Sequence, residues 1–197
     1  MKKTKAETDQ TIKKLIEIAT ELFSQKGYAS VSLEEIVEQA GLTRGAVYHH
    51  FKNKKGLFLA VFRYAQESIA EEINRVDEQS EDLWEQLVEG CRLFIESTSK
   101  VSVCRIVLID GPAVLGWQTF REIDQENSMR LLQEQIEEMQ EKGLFKAVTP
   151  EVITHVLSGA INEASIWVAE QENREKALTE SMFAIEGILK GFKINNE

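Results

Sequence analysis

The stretch TRGAVYHHFKNKKG, residues 43–56, sets two adjacent histidines, a tyrosine, a glycine in a helical pattern and four basic residues side by side. It reads either as a metal or catalytic site on His49 and His50, or as a surface that grips an anion. Helix geometry decides between them. Neighbours on a helix lie three or four residues apart, and adjacent side chains diverge by about 100°. The only other histidine is His155, and no H-x-x-x-H or H-E-x-x-H spacing occurs. No metal, catalytic residue or cofactor is expected. Thr43 caps a short helix over about 44–50, where a hydroxyl and free backbone N–H groups suit a phosphate. Arg44 suits guanine or phosphate. Gly45, which costs about 1 kcal/mol in a helix relative to alanine, makes sense where backbone must approach a ligand closely. Ala46 fits a thymine methyl, and Tyr48 and His49 lie on the exposed side. Lys52, Lys54 and Lys55 suit backbone phosphates, whereas His50 reads as a packed or helix-terminal residue.

Working outward, Ile12, Leu15, Ile16, Ala19, Leu22 and Phe23 share one face of a helix over about 8–26, which ends at Gly27. Ser32 and Glu35 have the S-x-x-E spacing of a capping box. The second helix they open has Ile36, Val37 and Ala40 on its apolar face and stops at Gly41. A fourth helix runs from about Lys54 to Val76, with Asn53 as its cap and Leu57, Val61, Tyr64, Ala65, Ile69 and Ile73 in its buried stripe. Residues 8–56 thus read helix, turn, helix, tight turn, helix, which is a helix–turn–helix arrangement. Its second member would lie in a major groove. Helix 2 is acidic for such a surface, carrying Glu34, Glu35 and Glu38.

The remaining composition agrees. The 197 residues are 43 % hydrophobic, with two prolines and two cysteines, Cys91 and Cys104. An all-α protein with reduced thiols follows. The charged start lacks an apolar leader and no apolar run spans a bilayer, so a cytoplasmic protein without membrane contact is expected. The net charge of −10 hides an asymmetry: residues 1–63 carry +4 and residues 64–197 carry −14. A basic head on an acidic body suits a small anion-binding domain joined to a larger body that is not one. The alternative is a helical interaction module with a basic head; an enzyme lacks any recognisable nucleophile–base spacing.

The segment ATELFSQKGYASVSLEEIVEQAGLTRGAVYHHFKNKKGLF, residues 19–58, resembles the DNA-binding domain of the tetracycline-repressor (TetR) family of bacterial regulators. The resemblance covers about residues 8–68. It implies a homodimeric transcription factor, usually a repressor, that binds a palindromic double-stranded DNA operator. It also implies an N-terminal three-helix domain at 8–68 and a helical ligand-binding and dimerisation domain at 69–197, about nine helices in all. The DNA contacts it implies are Ser32, Thr43, Arg44, Gly45, Ala46, Tyr48, His49 and Lys54.

The body is less explicit. A helical run meets a breaker at Asp110-Gly111-Pro112, and a long acidic helix follows over about 118–142. Polar groups on apolar stretches (Arg105, Asp110, Asn162, Glu163) and nearby aromatic or thiol groups (Cys104, Trp117, Phe120, Trp167) are candidates to line a pocket for an unidentified small-molecule effector. Two C-terminal stripes, containing Val156, Ala160 and Ala164 and then Ile185, Ile188 and Leu189, are candidates for a four-helix dimer interface. An effector in the body would act by favouring one setting of helix 4, changing the spacing of the two recognition helices.

Overall fold

The computed structural model describes residues 5–75 and 80–194. Val76, the expected end of the fourth helix, lies outside them. The elements are α1 (Lys5–Lys26), α2 (Leu33–Ala40), α3 (Arg44–Phe51), α4 (Lys54–Asn74), α5 (Leu83–Thr98), α6 (Val101–Cys104), a π-helical turn (Arg105–Asp110), α7 (Gly111–Leu115), α8 (Trp117–Glu126), α9 (Ser128–Glu141), α10 (Pro150–Glu170) and α11 (Arg174–Lys190). Among the described residues, extended pairing is limited to one isolated antiparallel bridge between Phe145 and Lys193. The protein is all-α, as composition and periodicity imply.

Among the described residues, eleven α segments replace the expected nine or so because two long runs are broken. The acidic helix breaks at Asn127 (φ −124°, ψ −110°), whose side chain donates to the Ile123 carbonyl at 2.7 Å. The run before it winds into a π turn and ends at Gly116 (φ 89°).

The head is α1–α3 packed on the first half of α4. Phe23, Tyr28 and Phe58 meet edge-on or tilted, with ring centroids 5.1–5.6 Å apart. Val47 of α3 is fully buried against this core. In the body, α10 packs on α5, α9 and α11. One hydrophobic core joins head and body, with Leu57, Phe58 and Val61 in α4's first half and Phe62 and Ile69 further along. The 68/69 boundary therefore falls inside a continuous helix.

A second joint lies beside α4. In the π turn the i→i+5 wind brings residues five apart over one another, which aligns Arg105 with Asp110. Asp110 Oδ2 accepts the Tyr28 N–H at 2.8 Å, and Arg105 lies against Gly27, which is left-handed at φ 79°. Both polar groups thus tie the body to the turn between α1 and α2.

Candidate nucleic-acid interface

The recognition surface is positioned by two local signals. Gly41 adopts φ 62°, a conformation glycine reaches without strain, and turns the chain from α2 into α3. Asn53 caps α4, its Oδ1 accepting the Gly56 N–H at 2.8 Å. Of the capping box, half forms: Ser32 Oγ accepts from Glu35 N at 3.1 Å, while the Glu35 carboxylate pairs with Lys26 instead.

Thr43 caps α3 by position, but its hydroxyl makes no capping bond. That hydroxyl points from an exposed residue at a helix N-terminus, where phosphates bind. Arg44, Gly45, Tyr48 and His49 are exposed, and Ala46 is half-buried. Tyr48, 53 % exposed, is a large aromatic displayed to solvent. A Cβ added to Gly45 would meet only Thr43 Oγ1, at 3.5 Å, so no internal packing demands glycine there. The His49 and His50 rings lie edge to face with centroids 4.7 Å apart, closer than their divergence on the helix suggests. No group of three or more potential ligands that could hold a metal occurs among the described residues.

Lys54 behaves differently from the expected phosphate contact. Its ammonium donates to the Val31 carbonyl at 2.6 Å and sits 4.1 Å above the Tyr28 ring, and burial lowers its pKa from the ordinary lysine value. The charge is engaged within the head. Lys52 and Lys55 remain exposed.

Glu34, acidic on a surface meant for phosphates, is paired with Arg44, and both side chains are about half exposed. Exposed pairs are worth roughly 0–1 kcal/mol. In the DNA-contact role expected of it, Arg44 would have to leave Glu34. Glu34→Gln is therefore expected to raise affinity for duplex DNA by about 2–5-fold at low salt, an effect of that size, with less gain at high salt. Binding titrations at two salt concentrations test this, and unchanged affinity at both would remove Glu34 as a brake.

The expected ligand residues do not gather. A cavity of about 300 Å³ lies elsewhere, between α4, α5, α9 and α10. Ile73, Leu87, Cys91, Phe94, Ser128 and Gln135 are among its walls. None of Cys104, Arg105, Asp110, Trp117, Phe120, Asn162, Glu163 and Trp167 lines it. Arg105 and Asp110 serve the head–body joint. Trp117 is 65 % exposed and stacks on buried Phe120. Glu163 and Trp167 face outward, Asn162 packs on Ser158, and Cys104 is a buried thiol. Cys91, read from the sequence only as part of an apolar stripe, lies in the cavity wall; burial pushes its thiol up to about 12, so it stays neutral.

The candidate dimer residues also divide. Val156 and Ile188 are exposed and Ala160 and Ala164 half-buried, but Ile185 and Leu189 are buried in the subunit's own core. Exposed Val152 and Trp167 on α10 and Phe183 on α11 complete the outward apolar face.

Comparison with known proteins fits this arrangement. Residues 15–61 match the family "Bacterial regulatory proteins, tetR family", and residues 84–192 match "Tetracyclin repressor-like, C-terminal domain". The crystal structure of a TetR-family transcriptional regulator from Pectobacterium atrosepticum superposes with a TM-score of 0.81 at 32 % identity, covering 99 % of this chain and 100 % of that one. The HTH-type transcriptional regulator AcrR of Shigella flexneri is 44 % identical over 70 residues, 36 % of this chain and 33 % of AcrR, so the match spans about a third of that relative. The HTH-type transcriptional repressor BepR of Brucella suis is 31 % identical over 112 residues, 54 % of each chain. The head built on α3, the helical body and these matches across both place the chain in the tetR family of bacterial regulatory proteins, DNA-binding regulators of transcription rather than enzymes.

Proposed function

We propose that the protein is a cytoplasmic transcriptional repressor that binds a palindromic operator as a homodimer and releases it when a small molecule enters the body. The observation that carries this reading is the outer face of α3: Arg44, Gly45, Tyr48 and His49 stand exposed on a short helix held by a buried valine at its centre. Similarity to BepR, a transcriptional repressor, supports repression over activation. The exposed apolar face of α10 and α11 supports a two-fold dimer. Such a dimer presents two recognition helices to major-groove faces roughly 34–36 Å apart.

The effector site in this reading is the cavity between α4, α5, α9 and α10. Its volume is at the small end of ligand pockets, and its walls mix apolar side chains with a few polar ones. Ser128, at its edge, holds a buried hydroxyl with no partner. Occupancy would reach the head through α4 and through the Arg105–Asp110 turn. A ligand that prefers the released arrangement by about 1–3 kcal/mol changes operator affinity about 5–150-fold.

The test is selection of operators from random duplex DNA, followed by titration of the protein and of Arg44→Ala. A palindrome should be enriched, and losing one base-reading arginine should cost about 1–3 kcal/mol, roughly 5–150-fold in affinity, with relaxed preference at one base pair of each half-site. Weak binding that vanishes in salt, with no enriched sequence, would reduce the head to a charge patch.

A further inference from the structure

The turn between α1 and α2 is held from two sides. From the body, Asp110 Oδ2 accepts the Tyr28 N–H at 2.8 Å, across 82 positions of sequence. From the start of α4, the Lys54 ammonium donates to the Val31 carbonyl at 2.6 Å and lies 4.1 Å above the Tyr28 ring. Ser32, the N-cap of α2 and an expected DNA contact, follows Val31 directly. The residue after Asp110 holds a second element. Gly111 packs so closely on α4 that a Cβ there would lie 2.6 Å from Phe62 Cε2, and Phe62 is fully buried. Two consecutive body residues thus engage the α1–α2 turn and α4 together. Neither of them lines the cavity between α4, α5, α9 and α10.

A head joined to its body by one helix can still roll about that helix. A hydrogen bond made off the helix axis removes this freedom. The Asp110–Tyr28 bond is such a restraint, and an ionised acceptor makes it one of the stronger kind. We propose that Asp110 is a positioning residue for DNA binding: its bond to the Tyr28 N–H fixes the roll of the recognition domain on the body and so sets the half-site spacing that the dimer accepts. The proposal rests on the reading of the protein as a dimeric operator-binding regulator. Asp110 itself acts through Tyr28 and touches no DNA. A dimer meets two major-groove faces, and one inserted base pair moves a half-site by about 3.4 Å along the axis and about a tenth of a turn around it. Heads that roll freely follow that shift, whereas heads held by Asp110 do not.

The experiment titrates the intact protein, Asp110→Ala and Asp110→Asn against three duplexes: the selected palindrome, the same palindrome with one base pair inserted between its half-sites, and a single half-site. Asparagine keeps a carbonyl oxygen that can accept the N–H, and alanine does not. For the intact protein the insertion should cost about tenfold or more, because both heads no longer engage at once. In Asp110→Ala that penalty should shrink by about fivefold or more, the lower end of ordinary coupling, while affinity for the single half-site stays within about twofold. Asp110→Asn should restore the penalty. A purely structural role would weaken binding to all three duplexes and leave the penalty unchanged, and that result overturns the proposal. Amide hydrogen exchange without DNA reads the bond itself. The Tyr28 N–H should be protected in the intact protein and in Asp110→Asn, and should exchange about tenfold faster or more in Asp110→Ala. Fast exchange at Tyr28 in the intact protein would overturn the proposal directly. If Asp110→Ala does not fold, Asp110→Glu moves the acceptor by one methylene, and an unchanged spacing preference in that variant overturns the positioning role. An intact protein that selects no palindrome would be a failure of the DNA-binding reading, told apart by exchange at Tyr28, which needs no DNA.

Discussion

Gly56→Ala should cripple the head although it adds a single methyl group. Gly56 is the third residue of α4, and a Cβ there would lie 1.9 Å from the Phe51 carbonyl oxygen and 3.0 Å from its carbon. Both atoms are backbone, so no rotamer change relieves the clash. The chain between them is already tight: Lys52 has φ 68°, and Asn53 holds the Gly56 N–H. The only escape is to push α3 away from α4, opening the contact of Val47 with the head core. Overpacking of this kind costs about 1–3 kcal/mol, and the rigid backbone puts it at the upper end. For a chain of this size, at about 2–4 °C per kcal/mol, about 3 kcal/mol is a fall of roughly 6–12 °C in Tm. Operator affinity should fall further than stability explains, since each misaligned base contact removes about 1–3 kcal/mol of discrimination. Gly45→Ala is the matching control. Its added methyl makes only an ordinary contact with Thr43 Oγ1 at 3.5 Å, so the helix should gain up to about 1 kcal/mol of propensity, and any loss of operator binding reports close approach of DNA. Thermal melts and titrations on both variants check the pair; a Gly56→Ala protein with normal Tm and normal affinity would show that α3 moves freely.

The contrast between these two glycines shows what was legible in the sequence. The head is encoded locally: cap, stripe and turn follow one another within a few residues, so Ser32, Gly41 and Asn53 announce their roles by type and spacing. Exposed polar and aromatic groups on α3 follow from the same periodicity. Gly56 is different, because its necessity arises where the carbonyl of one helix end meets the start of the next. The body departs further from its sequence reading. Arg105 and Asp110 are polar residues in an apolar run, a pattern that fits a pocket as well as a joint. Only the π wind, which stacks residues five apart, turns them toward Gly27 and Tyr28. The cavity depends on which faces of α5 and α9 meet, so Cys91 and Ser128 carry no local sign of lining it. Asp124 looks like one more acid in an acidic helix until the break at Asn127 and the packing of α4 and α10 enclose it.

Phe183→Glu is expected to have the largest effect on operator binding, from a position far outside the head. Phe183 is 83 % exposed on α11, which also exposes Ile188, and α10 packed next to it displays Val152, Val156 and Trp167. Exposed large apolar groups gathered on two neighbouring helices mark association surfaces. In a two-fold dimer the same residue is buried twice, and each buried phenylalanine contributes about 1.5–3 kcal/mol. Glutamate removes that contribution and adds two carboxylates that must lose water on association. Two heads tied together gain about 10²–10⁴ in avidity over one, provided both half-sites are engaged at once. The variant should therefore sediment as a folded monomer, bind a single half-site as the unaltered head does, and lose about 10²–10⁴ in affinity for the full palindrome. Leu189→Glu separates this effect from misfolding. Leu189 is 0 % exposed, inside the subunit's own core, so its replacement should unfold the body rather than release a competent monomer. A Phe183→Glu protein that remains dimeric at the same concentration as the unaltered chain would place the interface on another face of the body.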